Sequence, residues 1–169
     1  MLHEVKPLDL TVRINDLWDN KWFLLTAGSF THDEYNTMTI AWGSFGIMWN
    51  KPFVQVVVRP TRFTYQFMEK YKTFTLCRFP EKYKTELKFL GSKSGRDINK
   101  IKESGLTVKQ STTVEAPCFE EADMIFECNK IYYDDFKPGN FLDSGIEKNY
   151  PLKDYHRIYF GEILKILEL

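Results

Sequence analysis

Apolar and polar positions fall into short blocks whose periods identify the elements. "KWFLLTAG" (21–28) and "MTIAWGSFGIMW" (38–49) are dense in β-branched and aromatic residues and flank the polar "SFTHDEYNT", which predicts two strands joined by a loop. "FVQVVVR" (53–59), after the turn "NKP", and "TFTLCRF" (73–79), which alternates its faces, predict two more. Between them Phe63, Phe67 and Tyr71 recur at helical spacing and predict an amphipathic helix over 62–71, with Thr61 placed to cap it. "EKYKTELKFLG" (81–91) sets Leu87 and Leu90 three apart before a glycine and predicts a second helix. "RDINKIKESG" (96–105) repeats the arrangement with Ile98, Ile101 and a terminating glycine. "LTVKQST" (106–112), "ADMIFECNKIYY" (122–133) and "HRIYFGEILKIL" (156–167) read as extended segments.

Strands, then helices, then strands again lack the regular alternation of a doubly wound sheet, so a mainly β antiparallel barrel with helical insertions is expected. The 169 residues suit one domain with one packed core. No internal repeat or linker divides them. Residues 134–155 form a long Pro-, Gly- and charge-rich stretch between two strands, a candidate lid or dimer arm.

Charge narrows the function classes. Lys plus Arg and Asp plus Glu both number 23, so no overall field steers the chain to nucleic acid or to an anionic membrane. No apolar run has bilayer length, and "MLHEVKPLDL" lacks the basic and apolar regions of a secretory signal, so a cytoplasmic protein is expected. Cys77, Cys118 and Cys128 are odd in number and scattered, as core hydrophobes of a reducing compartment would be. No metal site is predicted. An aromatic fraction of 16% points to a ring-rich core or pocket.

Three stretches carry candidate chemistry. "VVVRPTRFTYQF" (56–67) ends a buried strand on Arg59 and Arg62, with Thr61 and Thr64 between and after them, at a helix start that favours an anion. Guanidinium forks and hydroxyls there suit a phosphate. The alternative is two solvated arginines, or arginines paired with acids such as Glu69. "GSKSGRD" (91–97) offers Lys93, Ser94 and the flexible Gly95 to a phosphate, or is an ordinary helix entry capped by Ser94 or Asp97. "YNTMTIAWGS" (35–44) places Asn36, Thr37 and Thr39 beside Met38 and Trp42, which suits a flat heteroaromatic ring, or is a strand entry with a core tryptophan.

Taken together, "NTMTIAWGSFGIMWNKP", "VVVRPTRFTYQFMEKYKTFTLCRFPEKY", "GSKSGRD" and "DYHRIYFGEI" resemble, over about residues 15–168, the flavin reductase-like family of FMN-binding split barrels, in its flavoredoxin-like branch. The resemblance implies a six-stranded antiparallel split barrel of Greek-key type and a homodimer with FMN near the subunit interface. It also implies electron transfer between FMN and a donor such as NADH or NADPH. By position it assigns Asn36, Thr37, Met38, Thr39, Ile40 and Trp42 to the isoalloxazine and ribityl chain, and Arg59, Arg62, Thr64, Lys93 and Ser94 to the phosphate, with Tyr65 and Gly95 close by. His156 stands where many flavin reductases carry the histidine of a Gly-Asp-His motif, but its neighbours here are Asp154 and Tyr155. Hydride transfer to flavin needs no general base, so His156 is expected to position rather than to exchange protons, or to be a packed histidine at a strand start. Two activities from different classes follow: an FMN-dependent NAD(P)H oxidoreductase, or an FMN-binding electron carrier without its own nicotinamide site. A third reading is a split barrel that binds another phosphorylated ligand or heme.

Overall fold

A computed structural model of the protein describes residues 2–169. Its framework is an antiparallel sheet of β1 (His3–Val5), β2 (Phe23–Ser29), β3 (Glu34–Ile40), β4 (Gly43–Met48), β5 (Lys51–Val58), β6 (Thr73–Arg78), β9 (Met124–Asp135) and β10 (Arg157–Glu168). Two short strands, β7 (Val108–Lys109) and β8 (Cys118–Phe119), pair with each other apart from it. The main order is β3-β2-β6-β9-β10-β5-β4, with β1 beside β10. The expected class holds, but the main sheet has eight strands where six were expected. Among the described residues no helix is long and apolar enough to cross a membrane.

Ring contacts show that the sheet curls. Phe23 on β2 and Phe45 on β4 lie near opposite ends of the strand order, yet their ring centroids are 6.1 Å apart. Both rings meet Phe126 of β9, at 5.9 and 4.9 Å. Trp18 closes this end, 4.9 Å from Phe23. It lies on a π turn (Leu17–Lys21) that follows the short α1 (Ile14–Asp16). A Cβ on Gly43 would sit 2.3 Å from the Trp18 ring, so glycine there lets strand and indole touch.

Every residue of β2 is buried because the strand is covered on both faces. Phe23, Leu25 and Ala27 face the barrel interior, whereas Leu24 joins a second core with Cys77, Ile125, Leu87 and Leu90. That second core lies under α3 (Lys84–Ser92) and α4 (Lys100–Ser104). The remaining helix, α2 (Phe63–Lys70), buries Phe67 and Met68 against the barrel.

Several boundaries differ from expectation for physical reasons. The apolar run 38–49 is not one strand: β3 pairs with β2 and β4 with β5, so the chain changes partner at Ala41–Trp42. The polar loop before it shrinks to a tight turn, and β3 already begins at Glu34. Thr61 does not cap α2: its hydroxyl donates to Asp154, 3.2 Å away, and Arg62 occupies the cap position without a side-chain bond. The helix predicted over 96–105 is confined to α4, where the Asn99 side chain accepts from the Lys102 amide and Gly105 ends it with φ of 74°.

Candidate functional site

Strand β3 is a terminal strand, so among the described residues one backbone edge has no strand partner. Helix α3 packs alongside it, tied by the Thr39 hydroxyl donating to the Leu87 carbonyl at 2.5 Å. Gly91 makes the approach close, since a Cβ there would lie 3.1 Å from that of Thr39. A groove runs along this seam as three adjoining cavities. The first, about 230 Å³, is walled by Met38 to Trp42, Val57, Arg59 and His156. The second, about 320 Å³, shares Thr39, Ile40 and Ala41 with it and continues over Gly91 and Ser92 of α3. The third, about 170 Å³, shares Ser92 and is lined by Thr61, Arg62, Phe63, Thr64, Lys93, Ser94, Arg96 and Lys100.

The third cavity gathers four cations and no carboxylate. Arg62 donates to the Gly91 carbonyl at 2.7 Å, and burial together with Arg59 lowers its pKa. Lys100 is only 3% exposed; its ammonium donates to the carbonyls of Leu90 and Lys93 at 2.8 and 3.0 Å. Burial and the nearby Arg62 bring the Lys100 pKa down to about 8. Arg96 donates to the Thr61 carbonyl at 3.0 Å and lies over the Phe63 ring. Hydroxyls of Ser92, Ser94, Thr61 and Thr64 complete a lining that matches an anion.

The opposite end is aromatic. His156 is buried, its ring centroid 5.3 Å from that of the half-exposed Trp42, and its Nδ1 is 2.8 Å from the Tyr150 hydroxyl. Burial first, and the Arg59 charge second, lower the His156 pKa to about 4, so the imidazole is neutral at pH 7. Arg59 is held by Asp154 at 3.0 Å and by the Asn149 carbonyl at 2.7 Å, with Tyr150 against its guanidinium. Part of the segment 134–155 is thereby folded against this wall of the groove.

The flavin reductase like domain, as a family, matches residues 21–167. The chain belongs to this family. Among solved structures it is similar to an FMN-binding domain of a flavin reductases-like enzyme from Shewanella baltica OS155, with TM-score 0.71 and 18% identity, covering 99% of this chain and 77% of that one. It is also similar to flavoredoxin of Desulfovibrio vulgaris (Miyazaki F), with TM-score 0.67 and 20% identity over 92% and 72% of the two chains. An NADH:FAD oxidoreductase of Streptomyces globisporus C-1027 gives 0.64 and 15% over 88% and 70%. No curated protein matches the chain by sequence.

In this flavin reductase-like chain the fold brings together only part of the expected residue set. Arg62, Thr64, Lys93 and Ser94 share the cation cavity, and Met38, Thr39, Ile40 and Trp42 share the first. Met38 and Ile40 belong to the barrel core, so they offer chiefly the backbone edge of β3. Thr37 is fully buried, donating to the Leu25 carbonyl and accepting from the Thr26 hydroxyl, and is not among the residues lining the groove. Arg59 and Arg62 do not converge: the turn closed by the Arg62 amide on the Arg59 carbonyl sends Arg59 to the aromatic end, where Asp154 matches its charge. Tyr65 lies away from the groove, with the Arg157 guanidinium 5.7 Å from its ring centroid. Asn36 accepts from the Thr64 hydroxyl at 2.9 Å and turns its amide nitrogen toward Gly95, whose missing side chain leaves that space.

Sequence reasoning missed Arg96, Lys100, Tyr150 and Asp154. Lys100 was not singled out because the helix was expected to span 96–105, with Ile98 and Ile101 as its marked positions. An asparagine at 99, a preferred cap, was the signal that the helix starts at Lys100.

Proposed function

We propose that the protein binds FMN along this groove and passes electrons between a reduced nicotinamide and an acceptor. The observation that carries the reading is the cation cavity, four positive side chains without a carboxylate, at one end of a groove whose middle is an unpaired strand edge. Arg62, Lys93, Arg96 and Lys100 balance the phosphate, while Thr64, through Asn36, and Ser94 fix the walls around it. A dianion pairs with several charge-assisted donors far better than with water-exposed lysines alone. The β3 edge from Met38 to Ile40, continued by Ala41 and Trp42, takes the ring system, with backbone groups along one side and apolar side chains beneath. Bound FMN supplies the hydride and electron chemistry. His156, neutral and anchored by Tyr150, shapes the aromatic end and orients what stacks there rather than moving a proton.

A second reading, an electron carrier, draws on the size of that end. Its cavity of about 230 Å³ lies below the roughly 300–1,000 Å³ typical of small-molecule sites, which leaves little room for a nicotinamide beside a flavin. An FMN titration followed by anaerobic addition of NADH and NADPH separates the two. Prompt bleaching supports the oxidoreductase, a persistently yellow complex supports the carrier, and failure to bind FMN overturns both.

The homodimer belongs to the same proposal. The exposed Trp49 and Tyr132 pack with Phe160 into an outer aromatic face, with Trp49 and Tyr132 ring centroids 5.9 Å apart. Such a face suits burial against a second copy. Trp49→Glu is expected to convert a dimer to a monomer by light scattering; a wild type that is already monomeric removes the proposal.

A further inference from the structure

The imidazole of His156 and the phenol of Tyr150 are both buried, at 8% and 3% exposure. His156 Nδ1 and the Tyr150 hydroxyl lie 2.8 Å apart, and neither atom has another hydrogen-bond partner among the described residues. The imidazole is neutral at pH 7, with one N–H donor and one acceptor nitrogen, and the bond made by one nitrogen decides where the proton sits. Two arrangements fit the distance. In the first, Nδ1–H donates to the phenol oxygen. The hydroxyl hydrogen is then left without an acceptor, in a cluster made by Phe141, Tyr155 and the Arg59 guanidinium. In the second, the hydroxyl donates to Nδ1, and only lone pairs of the phenol oxygen go unused. A stranded buried donor costs its full desolvation and an unused lone pair far less, so the second arrangement is favoured. Flipping the imidazole would set a carbon against the hydroxyl and lose the bond altogether.

The imidazole proton is then on Nε2. This nitrogen bonds to no protein atom among the described residues, and the sealed side-chain atoms that lack a partner belong to Trp18 and Glu86 instead. Nε2 is therefore open to the first cavity, which His156 lines beside Trp42 and Arg59. No carboxylate lines that cavity, so nothing in its wall competes for the N–H. The Arg59 charge is already matched by Asp154 at 3.0 Å. A neutral oxygen acceptor therefore suits this end better than an anion does, in contrast to the cation cavity.

We infer that Tyr150 is a positioning residue that holds His156 in its Nε2–H form, so that the groove presents an N–H donor to a neutral carbonyl oxygen of the molecule bound against Trp42. The owner of that carbonyl rests on the flavin reading: it belongs to the flavin ring or to the carboxamide of a nicotinamide beside it. The position of the proton rests on the chain alone.

The test is a long-range proton-nitrogen correlation spectrum of the nitrogen-labelled, ligand-free protein at pH 7, with the His156 ring assigned by its loss in His156→Asn. A protonated Nε2 with an acceptor Nδ1 is expected; a protonated Nδ1 overturns the proposal. Tyr150→Phe keeps a ring against Phe141 and Arg59 and removes only the hydroxyl. Its Nδ1 signal is expected to shift to that of an acceptor without a hydrogen bond, and an unmoved signal overturns the role of Tyr150. FMN and then oxidised NAD are added to the wild type while the Nε2–H signal is followed. A shift with FMN assigns the carbonyl to the flavin, and a shift only with NAD assigns it to the nicotinamide. Bound FMN, seen by its fluorescence, with no shift from either addition removes the donor role. If FMN does not bind, the flavin reading falls; the donor role then stands if free nicotinamide shifts the signal and falls if it does not.

Discussion

The Tyr150 hydroxyl and His156 Nδ1 lie 2.8 Å apart inside an aromatic cluster that also holds Trp42 and Phe136. This geometry fixes the ring of a histidine that, buried beside Arg59, protonates only near pH 4. The unfolded chain takes up that proton near 6.5, before the folded one does. The histidine's contribution to stability is therefore fully present above about 6.5 and is lost as pH falls toward 4. A series of melting temperatures from pH 7 to 4 is expected to fall less steeply for His156→Asn than for wild type. Parallel slopes would show that His156 does not titrate as argued.

Lys100 makes the opposite edge of the pH range informative. In the ligand-free protein its pKa stands at about 8, below the ordinary lysine value, and a phosphate beside it favours the charged form. Above that pH, binding must first restore the proton, so FMN affinity is expected to fall by up to about tenfold per pH unit from 8 upward. Lys100→Gln should weaken FMN at pH 7 by about 1.5–3 kcal/mol and flatten this dependence. A titration series from pH 7 to 9.5 that overlays for the two proteins removes Lys100 from the site.

The two arginines at the end of β5 should separate experimentally. Arg62→Ala takes a cation out of the phosphate cavity and is expected to cost about 1.5–3 kcal/mol of FMN affinity. Arg59→Ala instead releases Asp154 and the Asn149 carbonyl, so its main effect should be faster protease cleavage within 141–155. Limited proteolysis run beside the FMN titration checks both, and the reverse pattern would exchange their roles.

Glu127 offers a stability test outside the groove. Its carboxylate is fully buried and accepts from the Thr112 amide at 2.8 Å, the Thr112 hydroxyl at 3.0 Å and the Thr113 amide at 2.5 Å. Removing it strands backbone donors, and Glu127→Ala is expected to lower stability by about 1–3 kcal/mol in urea unfolding at unchanged m. A loss below about 0.5 kcal/mol would mean that water replaces the carboxylate without difficulty.

What the sequence made legible follows the range of the forces involved. Strands β2, β5, β6, β9 and β10 announce themselves because β-branched and aromatic residues fill positions buried by the sheet, and α2 because Phe63 and Phe67 share one helix face. The break at Ala41–Trp42 has no local cause; it exists because β3 and β4 belong to opposite ends of the strand order. Arg59 looked like a phosphate ligand for the same reason, since its partner Asp154 lies 95 residues away. The cationic character of 91–97 was legible, yet Lys100, which lines the same cavity, became visible only once α4 was seen to start at that residue.

Strand β10 lies between β5 and β9 and also carries β1, so among the described residues the two halves of the main sheet are hydrogen-bonded together through it alone. On the ribosome, the hairpin of β4 and β5 emerges long before β10 does and has no sheet to join. Until then its apolar face is open to chaperones and to neighbouring nascent chains. The groove, built from segments around 38, 62, 93 and 156, shares that delay, so under the proposed function a flavin would bind only once the barrel has closed.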